Sequence, residues 1–359
     1  MTALPSVPPP PPASPPASPA DASKVLTVRD FSVRFSTEDS VVSAVDRVDL
    51  DVGAGEIVAV VGESGCGKSV TALGLAGLLP GTAEIEGSVR LRDQELVGAP
   101  ERVLRPLRGR DVTYVFQEPM TSLNPVLTVG RQITEVLHVH QKLSRAAARA
   151  RAVELLALVG IPSPERRVDE YPHQLSGGMR QRVVIAMAVA CDPTLLVADE
   201  PTTALDVTVQ AGILDVIRDL RDRLGTSVLL ITHDLGVVAD IADRVVVMYA
   251  GRVVEQARVE ELFARPRHHY TTALLGAIPT ARRGEGDHRL QEIPGLVPVL
   301  EAPPDRCTFA DRCPGADDLC RSSQPTLAES PGARHDHQVA CWHPVPVTVP
   351  GHEQAEATT

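Results

Sequence analysis

The chain has 359 residues, with 35 Lys and Arg against 46 Asp and Glu, a formal net charge of −11. Only 3% of the residues are aromatic, which leaves little on which bases could stack, and an acidic chain is ill-suited to a phosphate backbone, so nucleic acid is not expected as a partner. No run approaches the ~18 apolar residues of a membrane span, six cysteines are too few for a disulfide scaffold, and the N-terminus lacks the basic and apolar parts of a signal peptide. A soluble, cytosolic α/β protein is expected.

The first 20 residues hold 9 of the 31 prolines and no charged side chain, so residues 1–23 are expected to be a disordered tail. Order is expected from Lys24, where VLTVRDFSVRF alternates apolar and polar residues as a half-buried strand does. From Glu56 the pattern changes to short unbroken apolar runs, IVAVV (57–61), LLVA (195–198), VLLI (228–231) and VVVM (245–248). These are too short for helices and read as strands buried on both faces. Helical stretches lie between them at 68–79, 145–159, 179–190 and 209–224. Strands alternating with helices predict a parallel sheet with right-handed crossovers.

Gly62-Glu-Ser-Gly-Cys-Gly-Lys68-Ser69 fits G-x-x-x-x-G-K-[ST], directly after one such strand and before one such helix. Glycines there let successive N–H groups turn inward around a phosphate at the positive end of a helix dipole. The residues expected to hold nucleotide are Gly62, Ser64, Gly65, Cys66, Gly67, Lys68, Ser69 and Val70. Lys68 reaches the terminal phosphates and the Ser69 hydroxyl ligates Mg²⁺. LLVADE (195–200) ends a strand in two carboxylates, where open α/β sheets place ligands. Asp199 is expected to hold Mg²⁺ through its water shell and Glu200 to polarise an attacking water.

Three further pieces narrow the reading. Leu175-Ser176-Gly177-Gly178-Met179 resembles the signature sequence of ABC ATPases, Gln117 in YVFQEP resembles the family's glutamine-loop residue, and His233 after VLLIT resembles its switch histidine. Ala204-Leu205-Asp206 resembles the loop through which two cassettes touch, and Phe35 matches the position of the aromatic that stacks on adenine. The resemblance runs from about residue 25 to 265 and implies a P-loop ATPase cassette that sandwiches two ATPs with a second cassette. It gives Glu200 as general base, His233 as the bridge to the γ-phosphate and the opposing subunit, and Gln117 as a Mg²⁺ or water contact. Ser176, Gly177, Gly178 and Asp206 would then serve the nucleotide of the partner. One departure is Met179, where the family's signature has glutamine.

EPMTSLNPVLTVGRQITE (118–135), YTTALLGAIP (270–279) and the stretch from Ile293 to Cys341 are similar to the ATP-binding subunits of oligopeptide/dipeptide importers. That similarity implies two transmembrane permease subunits, a second ATPase subunit that is a paralogous heterodimer partner, and an indirect link to an extracytoplasmic peptide-binding protein. The chain would sit peripherally on the cytoplasmic face of the cell membrane. Related nickel or sugar importers, or a soluble non-transport ABC ATPase, are the alternatives. The expected organisation is a cassette at 24–265 with a helical subdomain at about 118–175, a C-terminal extension at 266–345 and a disordered tail at 346–359.

Cys307, Cys313, Cys320 and Cys341 lie within 35 residues with gaps of 5, 6 and 20. In a reducing cytosol this suggests a metal centre rather than disulfides. Zinc sites usually show shorter knuckles, whereas a [4Fe–4S] cluster suits wider gaps, and some members of the peptide-importer family are similar in carrying one. Zinc, with His335, His337 or His343 replacing a thiolate, and metal-free thiols remain open. Cys66 is expected to be a small side chain in its loop and Cys191 a core residue. The cassette's sheet is expected to be complete without the tail.

Overall fold

The computed structural model describes residues 24–36, 40–117, 122–203, 205–278, 293–330, 332 and 336–346. The N-terminal tail, most of the C-terminal one, Glu118–Met120, Ala204 and His335 lie outside the described residues. Two sheets form the frame. An antiparallel sheet runs β2 (Val41–Gly53), β1 (Lys24–Ser36), β4 (Ala83–Leu91), β5 (Gln94–Glu95). The larger sheet runs β11 (Ala328–Glu329), β12 (Gln338–Val339), β10 (Arg252–Arg258), β9 (Arg244–Tyr249), β3 (Ile57–Val61), β8 (Ser227–Ile231), β7 (Leu195–Asp199), β6 (Val112–Val115).

The four apolar runs are the strands β3, β7, β8 and β9, mutually parallel and with nearly every side chain buried. Burial on both faces is why they show no alternation. The first strand pairs in the separate antiparallel sheet, so the fold is mixed rather than wholly parallel. The other difference lies at the sheet's edge. β12 pairs with β10 and β11 with β12, so the segment after residue 300 adds two short strands to the main sheet and does not hang free of it.

The helices Lys68–Leu75, Arg145–Leu158, Gly177–Ala188 and Val207–Leu224 correspond to the expected stretches. Val129–Gln141 adds another, whose Ile133 and Leu137 pack with Leu155, Leu156 and Val183 in one apolar cluster. Side-chain caps start these helices: Thr128, Ser144, Ser176 and Asp206 each accept from the backbone N–H three residues on. Such a bond satisfies an otherwise orphaned donor and contributes about 1 kcal/mol. A second cluster fills the space between the two sheets, and a third joins β9 and β10 to Tyr270 and Phe309. No helix among the described residues is long and apolar enough to cross a membrane.

Candidate functional site

The loop 62–67 turns sharply between β3 and the helix Lys68–Leu75. Gly67 has φ +97°, and a Cβ there would lie 2.5 Å from the Ala44 carbonyl oxygen of β2. Only glycine fits a left-handed turn pressed so closely on a neighbouring strand. A Cβ on Gly65 would meet nothing within 4 Å, because that position faces a cleft. Lys68 is buried, and its Nζ donates to the carbonyls of Gly62 (2.8 Å) and Glu63 (3.0 Å), so the ammonium sits inside the loop. The cleft has a volume of about 380 Å³ and is bordered by Ser64, Gly65, Gly67, Lys68, Ser69, Val70, Gln117 and Glu200. That volume is in the range of small-molecule sites, about 300–1,000 Å³.

The two carboxylates at the tip of β7 are held differently. Asp199 is buried, accepts from the Tyr114 hydroxyl (2.8 Å) and lies 3.3 Å from the Ser69 hydroxyl. Burial pushes its carboxyl above the ordinary range despite those two hydrogen bonds. Glu200 stands in the left-handed region at φ +47°, a strained turn, with its N–H donating to the Ile231 carbonyl (2.8 Å). Its carboxylate accepts from Gln117 Nε2 (2.9 Å) and the Thr203 hydroxyl (2.8 Å), and its other oxygen lies 3.0 Å from His233 Nδ1. Burial acts to raise the Glu200 carboxyl, but the bonds from Thr203 and His233 outweigh it and hold the group below the ordinary carboxylate range. The result is an ionised acid ringed by three donors or donor-acceptors. Ser69 and Asp199 together place two oxygen donors at the phosphate end of the cleft, a set that fits a hard cation such as Mg²⁺.

The signature lies elsewhere on the surface. Ser176 caps the helix Gly177–Ala188 by accepting from Met179 N (3.3 Å), and its first turn begins with an exposed Gly177 and a half-buried Gly178. A Cβ on Gly177 would be 3.8 Å from Leu205, whereas one on Gly178 would collide with Val209 at 2.4 Å. Glutamine at position 179 would complete a reciprocal capping box, and methionine leaves only its backbone half. Asp206 caps the adjoining helix Val207–Leu224 through Val209 N (3.0 Å).

Phe35 is half-buried against the core between the sheets and does not border the cleft; Val42, its partner across β1 and β2, does. Residues that sequence reasoning passed over are Tyr114 and Thr203, which orient the two acids, and the segment Val297–Leu300, which borders the cleft from the far end of the chain. Tyr114 lies in β6, three residues before Gln117, a hint in the sequence; the segment 297–300 carries no local signal.

The four C-terminal cysteines border one small cavity with His268, Phe309 and Trp342. All six cysteines are free thiols. Burial pushes the Cys341 thiol up to about 11 against a backbone hydrogen bond at His343 that lowers it, with the charges of Cys307, Cys313 and Cys320 adding to the rise. Asp317, Cys320 and His343 also bring ligand atoms within 4.8 Å of one another, whereas His337 is buried on Glu255 (2.7 Å). The Cys66 thiol is buried within the phosphate loop and is raised by that burial, with Lys68 opposing.

Residues 45–203 match the family model described as ABC transporter, and residues 254–320 that described as oligopeptide/dipeptide transporter, C-terminal region. A probable peptide ABC transporter ATP-binding protein of Sinorhizobium fredii is 55% identical over 324 residues, 89% of this chain and 95% of that protein. The oligopeptide transport ATP-binding protein AppD of Bacillus subtilis is 52% identical over 85% of this chain and 93% of its own. Among solved structures, the ATP-binding cassette MJ0796, a dimer bound to ADP and Pi, is 28% identical with a TM-score of 0.59 over 65% of this chain and 98% of that one.

Proposed function

Because this chain belongs to the ABC transporter family, in the branch of oligopeptide and dipeptide transport ATP-binding proteins, we propose a division of labour among its residues that drives peptide import. The chain is the ATP-binding and hydrolysing subunit of a peptide importer, and it works with membrane permease subunits. The cleft over the phosphate loop takes Mg²⁺-ATP. Lys68 and the loop N–H groups bind the phosphates, and Ser69, Gln117 and Asp199 hold the cation, which supplies neutralisation of developing charge. Glu200 acts as the general base toward water, oriented by Gln117 and Thr203, and His233 links it to the γ-phosphate side. The observation that carries this reading is the ionised Glu200 carboxylate, held by Gln117, Thr203 and His233 beside a buried Asp199 that bonds Ser69.

Ser176, Gly177, Gly178 and Asp206 act in trans on the nucleotide of a second, paralogous ATPase subunit, and the assembly lies on the cytoplasmic face of the membrane with an extracytoplasmic peptide-binding protein. The C-terminal extension binds a [4Fe–4S] cluster through Cys307, Cys313, Cys320 and Cys341. Four thiols that border one cavity offer four sulfur ligands, and ligand bonds there would stand in for a core in a segment poor in apolar residues. The test is reconstitution of the co-purified complex in vesicles. Peptide uptake should depend on ATP and stop with Lys68→Ala; uptake of nickel or sugar but not peptide would refute the assignment, as would purification without permease subunits.

A further inference from the structure

We propose that residues 293–300 form the second wall of the base end of the nucleotide cleft, and that Arg312 is the positioning residue that ties this strap to the phosphate loop. The inference rests on the cleft being the ATP site, and goes beyond it by assigning part of that site to the C-terminal extension.

The cleft has two chemically different ends. Around Lys68, Gly65 and Ser69 it is polar, and its border also takes in Val42 of β2 and Val297, Pro298 and Val299. The Ser43 N–H donates to the Leu300 carbonyl (2.7 Å), so strap and strand are joined at the cleft's rim. Ile293, Val297 and Leu300 pack against the cluster of β9, β10 and Phe309, which anchors one face of the strap. Val299, in contrast, is 76% exposed at the rim of the cleft. Apolar groups of the strand and of the strap that adjoins it, on the border of the same cleft as a phosphate loop, suit contact with a flat, weakly polar ring such as a purine, while the phosphates occupy the polar end.

Arg312 fixes this geometry. Its guanidinium makes a bidentate pair with Glu63 of the phosphate loop (2.6 and 3.0 Å) and donates to the carbonyls of Ile293 (3.0 Å) and Pro294 (2.7 Å). A planar fork can serve a carboxylate and two carbonyls at once, which an ammonium cannot. Its side chain is only 5% exposed, and its stem lies 3.4 Å from where a Cβ of Gly295 would stand, at φ +85°. The Glu63 N–H in turn donates to the Tyr270 hydroxyl (2.8 Å). One arginine therefore connects the loop that holds phosphates to the segment that borders the rest of the ligand.

The experiment compares ATP with inorganic triphosphate, which has no base, on the full chain by isothermal titration. Val299→Ser, at an exposed position that does not threaten folding, and Val297→Ser/Val299→Ser should weaken ATP by several-fold and about tenfold, the loss expected for apolar contact of that size. Triphosphate affinity should not change. Arg312→Gln should lower the ATP-to-triphosphate preference, and adding it to the double serine variant should bring little further loss, because both act through the same wall. Unchanged ATP affinity in the serine variants, or equal weakening of both ligands, would overturn the wall; a fully additive Arg312→Gln loss would overturn the positioning role. A wild-type chain that binds neither ligand would instead remove the premise that this cleft is the ATP site.

Discussion

Replacing Glu200 by glutamine separates shape from proton transfer. In the native chain one carboxylate oxygen accepts from Gln117 and Thr203 and the other faces His233 Nδ1. Glutamine can keep its carbonyl oxygen toward the first two donors and turn its amide toward the imidazole, which accepts in the appropriate tautomer. All three contacts survive, so folding stability should change by less than about 1 kcal/mol, the scale of one net hydrogen bond. Mg²⁺-ATP binding should also persist, since neither Lys68 nor Asp199 is touched. What disappears is the proton acceptor, typically worth about 10²–10⁴ in rate, or roughly 3–5 kcal/mol in barrier. Phosphate release from the assembled transporter should fall by that factor while nucleotide affinity and Tm stay near wild type, and the closed ATP-bound pair should accumulate. Hydrolysis within a few-fold of wild type would show that Glu200 is not the base.

Lys68→Ala should weaken ATP binding itself by about 10- to 100-fold, the range for loss of one charged hydrogen bond, measured by titration of the isolated chain. Ser176→Arg should leave that titration unchanged and abolish hydrolysis in the assembled pair, whereas Ser176→Ala should cost only the helix cap, about 1 kcal/mol in thermal unfolding. Because hydrogen bonds hold the Glu200 carboxyl below its ordinary 4.5, that group stays ionised above this pH, and any hydrolysis it contributes is lost only as pH falls through its lower folded value. Thr203→Val removes one of those bonds and should move the acid limb of the kcat profile upward; an unmoved limb would count against Thr203. Anaerobically purified protein should be brown with about four irons per chain, and Cys313→Ser or Cys320→Ser should remove the colour; one zinc per colourless chain would replace the cluster assignment.

Much of the nucleotide cleft was legible because its parts are local. Gly62 to Ser69 is one contiguous loop, and the pair Asp199-Glu200 ends one apolar run, so spacing alone brings the right groups together. The four parallel strands were legible for a similar reason, since burial on both faces leaves an unbroken apolar run. The antiparallel sheet was less so: β2 and β4 mix buried and exposed positions, with irregular pairing of β1 that blurs a period of two. Contacts between distant residues left no trace at all. Glu63 and Arg312 are 249 positions apart, and nothing near either one announces the other. Phe35 is a further case: it stands opposite Val42, which borders the cleft, and is itself packed partly against the core between the sheets.

The two short strands at the sheet's edge bear on how this chain can be cut or recombined. β10 would otherwise end the main sheet with a row of open N–H and C=O groups, and β12 covers two of its positions, at Glu255 and Gln256. The same tail supplies Phe309, whose ring packs edge-on against Tyr249 and beside Tyr270. A chain stopped at residue 265 would keep every nucleotide motif, yet it would lose Tyr270 and Phe309 and bare both the β10 edge and the ring of Tyr249, a combination that invites pairing between copies. Cassette and tail are therefore not interchangeable parts joined by a seam, and a graft of this tail's function onto another ATPase would have to carry β10 and its aromatic neighbours along with it.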